Sequence, residues 1–86
     1  MESLSKFKQI LIDRLVTKGL EIDTIPSLIR SMRICLVIDP TINHLQLDKE
    51  LQLLGWYDIK MDFHTLQIAN AYFESKVTDS YLLVKN

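Results

Sequence analysis

The sequence predicts an all-α fold of four helices around one core, closed by a short C-terminal extended segment. Three observations predict it. Apolar residues recur at spacings of three and four in four separate stretches, the period of a helix with one buried face. The two glycines of the chain, Gly19 and Gly55, follow the first and third stretches, where a left-handed residue ends a helix without steric cost. Thr24, Asn43 and Asp62, all good N-caps, precede the other three starts. The competing arrangement is α+β, with strands near 33–38 and 81–84.

The first helix is expected over residues 3–18, where Leu4, Phe7, Leu11 and Leu15 share a face with Ile10 beside them. Ser3 or Ser5 is its expected cap, and Gly19 the residue that stops it. The second begins at Ile25-Pro26 behind Thr24, since a first-turn proline lacks only an amide that needs no partner. Ile25, Leu28, Ile29, Met32 and Leu36 then line one side. The β-branched run 34–38 reads as helix or buried strand; helix is preferred because the chain offers few partner strands. Pro40 ends it at Asp39 either way.

Asn43 with Gln46 has the form of a capping box and opens the third helix at 45–54, whose face is Leu47, Leu51 and Leu54. Gly55 and Trp56 then form a Schellman ending. Residues 57–61 are a linker. Asp62 restarts the chain, its carboxylate suiting both the free amides and the positive end of the dipole of a fourth helix that runs from Phe63 to about Ser75. A break at 78–80 leaves 81–84 as a short strand or apolar tail. The expected core is Phe7, Leu11, Leu15, Leu28, Met32, Leu47, Leu51, Leu54, Leu66, Ala69 and Phe73, with Phe63 and one tyrosine also inside.

Composition bounds the function. Residues 1–86 make one domain, and 48% hydrophobic content with two glycines and two prolines describes a folded domain rather than a disordered tail. No apolar run reaches the roughly 18–20 residues of a membrane span, and residues 1–8 lack the apolar core of a secretory signal, so a cytoplasmic, membrane-free protein is expected. Cys35 is the single cysteine, which excludes a disulfide or a thiolate cluster within one chain. Net charge is −1, with a mildly basic stretch 1–33 and an acidic remainder.

No chemistry-bearing constellation stands out, so no catalytic residue, cofactor or metal ligand is assigned and an enzyme is not expected. His44 and His64 fall near helix starts, and Asp62 lies two positions from His64, too few for a shared helix face. A thiol in an apolar run, such as Cys35, is ordinarily a small buried hydrophobe. Glycines 36 positions apart cannot build a phosphate loop.

Two roles remain. The favoured one is a non-catalytic protein–protein interaction or regulatory module, with Trp56, Tyr57, Tyr72, Tyr81 and Leu83 as the candidate contact surface, since aromatic residues dominate interface hot spots. The alternative is a helix-turn-helix-like nucleic-acid binder. It would rely on Lys6, Lys8, Arg14, Lys18, Arg30 and Arg33, because the second helix of that motif, 62–75, contains no Lys or Arg for phosphate or guanine. The apolar content of so short a chain further suggests a homodimer through the fourth helix or the C-terminal segment, with Trp56 as a further contributor.

Overall fold

A computed structural model describes the backbone of residues 2–85 and the side chains of residues 6–75. It contains four helices, α1 (Glu2–Thr17), α2 (Ile25–Ile38), α3 (His44–Leu53) and α4 (Phe63–Lys85), with a single 3-10 turn at Ile22–Thr24 leading into α2. There is no strand among the described residues. The all-α reading therefore holds, and 33–38 belongs to α2.

The ends of α1 and α3 follow from their glycines. Gly19 and Gly55 sit at φ 101° and 99°. Behind Gly19, the Leu20 amide donates to the Leu15 carbonyl at 3.2 Å and Gly19 itself to Val16 at 2.9 Å. Trp56 to Leu51 at 2.9 Å and Gly55 to Gln52 at 3.0 Å repeat the pattern. Both helices thus end in Schellman motifs, which satisfy carbonyls that would otherwise lack donors. A Cβ on Gly55 would meet nothing within 4 Å, so replacing it tests backbone conformation alone. Gly55→Ala is expected to cost about 1 kcal/mol through its left-handed φ, seen as a melting temperature lower by roughly 4–8 °C.

At the helix starts, Asn43 Oδ1 accepts from the Gln46 amide at 2.8 Å and Asp62 Oδ1 from the Thr65 amide at 2.7 Å, as expected. Thr24 behaves differently. Its hydroxyl donates backwards to the Glu21 carbonyl at 2.8 Å, and its φ of −90° and ψ of −15° are already helical. The 3-10 turn runs directly into α2, so no extended N-cap residue exists there. Ser3 and Ser5 lie within α1, which begins at Glu2.

The fourth helix is longer than its sequence suggests. Where a break at 78–80 and an extended segment at 81–84 are expected, α4 continues to Lys85. Thr, Asp and Ser are only mediocre helix formers, and none breaks a helix as glycine or proline does. Elongating an established helix needs no new nucleus, so three such residues do not stop it.

The core is built from Leu11 and Leu15 of α1, Leu28 and Met32 of α2, Leu47 and Leu51 of α3, and Leu66 and Ala69 of α4, all buried. Phe7 and Phe73 pack against this cluster while partly exposed. Two expected members lie outside it. Leu54 is 56% exposed because the helix is already unwinding there: it is the C-cap, and its amide bonds three residues back, to Leu51. Phe63 is 59% exposed, its ring edge-on to His44 at a centroid distance of 6.2 Å. Thr65 is wholly buried, and a residue two positions earlier points about 200° away.

Candidate functional site

One polar node links α4 to α1 beside their apolar packing. Asp62 Oδ2 accepts from Arg14 Nη2 and Lys18 Nζ, each at 2.9 Å, and Arg14 Nε donates to the buried Thr65 Oγ1 at 3.1 Å. The C-terminal end of α1 therefore meets the N-terminal end of α4, and the two helices run antiparallel. Burial pushes the Asp62 carboxyl up, but the Thr65 amide, Lys18, the Thr65 hydroxyl and Arg14 together outweigh it and hold the group well below the usual carboxylate range.

A second fixture holds the loop 55–62. Asp48 Oδ1 accepts from the Met61 amide at 2.7 Å, which turns Ile59 and Met61 inward, 4% and 5% exposed. Residues 57–61 thus give Ile59 and Met61 to the core while Tyr57, Asp58 and Lys60 stay exposed. Trp56 is half-buried with its indole N–H donating to Ser31 Oγ at 3.2 Å, while Tyr57 is 73% exposed. Beside them, Lys18, Gly19, Leu20 and Gly55 complete a crevice of about 350 Å³ where the two Schellman turns come together.

Of the five candidate contact residues, the structure brings only Trp56 and Tyr57 together. Tyr72 is 6% exposed and belongs to the core, tilted against Phe73 at a ring-centroid distance of 5.3 Å. The side chains of Tyr81 and Leu83 lie outside the described residues. The aromatic residues do not form a common surface among the described side chains.

A larger feature lies elsewhere. Two adjoining compartments, which share Arg33 and Phe73 in their linings, form a groove along α2: one of about 480 Å³ between α2 and the α1–α4 pair, and one of about 460 Å³ between the end of α2 and α4. Its α2 wall is the stripe Pro26, Ile29, Arg30, Arg33, Leu36 and Val37, with Pro40 just beyond the end of the helix. From Pro26 to Val37 that wall is about 16 Å long. Ile12, Ile22, Ile25 and Phe73 supply apolar floor and rim in the first compartment. Its charges are Lys8, Arg30 and Arg33, with no carboxylate among the described lining; Glu74 borders the second compartment.

Five of the six basic residues of 1–33 therefore divide into two groups by role, and the sixth, Lys6, is exposed and belongs to neither. Arg14 and Lys18 are held by Asp62, the ion pairs found among the described residues, whereas Lys8, Arg30 and Arg33 edge the groove. Both groups look alike in sequence. Only a fold that carries Asp62 across 44 and 48 positions separates them.

Cys35 is buried, and burial followed by the nearby Glu50 charge pushes its thiol up, away from the thiolate a nucleophile requires. Among the described residues, no three His, Cys, Asp or Glu side chains group as metal ligands. No described helix is long and apolar enough to cross a membrane. Comparison with family models, with curated proteins and with solved structures finds no match, so the groove is read from its own residues.

Proposed function

We propose that this chain is a cytoplasmic, non-catalytic protein-interaction module whose contact surface is the groove between α2 and the α1–α4 pair. The observation that carries this is an apolar groove edged by charge and long enough for several turns of partner helix. Exposed apolar side chains stand at its border, Ile22 at 69% and Val37 at 72%. Contiguous apolar surface of this kind in a folded domain marks a contact site. Trp56 and Tyr57 are secondary: the indole already has Ser31 as its partner, and their crevice is smaller and more polar in its setting. Against a nucleic-acid surface stands the loss of Arg14 and Lys18 to Asp62, which leaves the cations at the groove interleaved with isoleucine, proline and phenylalanine.

A strip adjoining the groove, with Val37 common to both, favours self-association. On α2, Ile34, Val37 and Ile38 are 53%, 72% and 78% exposed at i, i+3 and i+4, a stripe that a second copy can cover about a twofold axis. Because 81–84 is helical and Tyr72 is core, we place the homodimer contact on this strip rather than on a C-terminal strand.

One experiment tests both surfaces. A photocrosslinking residue is placed singly at Ile22, Ile34 or Leu53, the last an 82% exposed control on α3. Irradiation in the native cell is expected to give adducts with another protein from position 22 and a self-adduct at twice 10.0 kDa from position 34. Equal labelling from Leu53 would remove the assignment of either surface.

A further inference from the structure

The proposed groove already constrains what fits it. An extended peptide leaves its amides and carbonyls to be satisfied by a sheet edge, and no strand is present among the described residues to provide one. A helix satisfies its own backbone and presents only side chains, which suits walls made of helices. A lipid tail suits the site less well. Small-ligand sites bury about 70–90% of what they bind, whereas this groove is an open trough bordered by side chains as exposed as Ile22 and Val37.

Charge then selects among helices. The first compartment pairs an apolar floor with Lys8 on α1 and Arg30 and Arg33 on α2, and the described lining carries no carboxylate there. A helix with basic flanks would set like charges together over low-dielectric surface, while carboxylates would meet these three cations on both sides of the trough. Arginine adds the option of bidentate pairing. Glu74 at the far compartment reverses the preference at that end.

We propose that the groove binds an amphipathic α-helix of another protein, about eleven residues of it in contact, with an aliphatic face seated on Ile12, Ile29 and Phe73 and carboxylates flanking it toward Lys8, Arg30 and Arg33. This rests on the groove being the interaction surface.

The test uses the full chain and fluorescein-labelled synthetic helices of sixteen residues with one leucine face. One peptide has flanking glutamates, and its twin has lysines at the same positions. Fluorescence anisotropy is expected to give micromolar binding of the glutamate peptide and at least tenfold weaker binding of the lysine twin, with the gap shrinking between 50 and 500 mM NaCl. The double variant Arg30→Glu, Arg33→Glu should invert the order, which also shows that the variant is folded. Amide chemical shifts should move at Ile12, Ile29 and Phe73.

Equal affinity for the twins, with shifts still in the groove, would overturn the acidic preference while leaving the interaction surface in place. Shifts centred on Trp56 and Tyr57 would overturn the surface itself. Binding of oleate by the chain with no binding of either peptide would assign the trough to a lipid and end the proposal. Shifts at Ile12, Ile29 and Phe73 that appear on raising the concentration of the chain alone, with no binding of either peptide, would assign it to a second copy, with the same consequence.

Discussion

Leu51→Ala is expected to lower the free energy of unfolding by about 2–5 kcal/mol, the range for truncating a buried leucine and leaving a cavity. Leu51 is wholly buried, one helical turn from the equally buried Leu47. Its carbonyl also receives the Trp56 amide that closes α3, so the residue sits where helix ending and core packing coincide. For a chain of 86 residues the total stability expected is only about 4–13 kcal/mol at 0.05–0.15 kcal/mol per residue. One truncation therefore removes a large share of it. Urea unfolding followed by circular dichroism should show a midpoint lower by roughly 1–3 M with little change in slope. Leu54→Ala is the matched control: three positions away and 56% exposed, it should cost less than about 0.5 kcal/mol. Similar losses at both positions would mean that α3 faces the core at a different angle.

That contrast between Leu51 and Leu54 shows how far sequence periodicity reaches. Spacing of three and four identified the inward faces of α1, α2 and α3, because in mid-helix the direction of a side chain is a function of its number. It failed at Leu54 and Phe63, where the backbone is entering or leaving the helix and the number no longer fixes the direction. Glycine and asparagine were legible for the opposite reason: each acts through its own conformation or its nearest amides, as at Gly19, Gly55 and Asn43. Ile59 and Met61 carried a signal, alternation with period two between polar neighbours, which in a short loop marks inward-facing positions of extended chain. The groove had none. It forms where α1, α2 and α4 leave a gap, and Lys8, Ile29 and Phe73 are neighbours only because the helices cross. Trp56 and Tyr57 drew attention through residue type alone, which does not tell an indole anchored on Ser31 from one left open to a partner.

The Asp62 node is a long-range polar link between α1 and α4, and its removal is the second large effect expected. Asp62→Ala deletes the N-cap acceptor of α4, for which about 0.5–2 kcal/mol is usual. It also strands Lys18, only 14% exposed, and Arg14, 33% exposed, without their carboxylate. The ion-pair share is modest, since Asp62 is itself 38% exposed and solvent screens it. Together they give an expected loss of about 1–3 kcal/mol at pH 7. Asp62→Asn separates the two parts, because asparagine caps as well as aspartate but carries no charge. The sign of the pH dependence follows from the direction of the shift. The folded carboxyl is depressed below its unfolded value near 3.9, so the folded state holds fewer protons than the unfolded state at acid pH. Stability from this group is complete above about pH 5 and drains away as pH falls through 3.9 toward the folded value. Unfolding free energies measured from pH 7 to pH 2 should therefore decline less steeply below pH 5 in Asp62→Asn than in the parent chain. An unchanged acid slope would show that the Thr65 amide, Lys18 and Arg14 do not together depress Asp62 in solution, and the place of α4 would then rest on apolar packing by Leu66, Ala69, Tyr72 and Phe73.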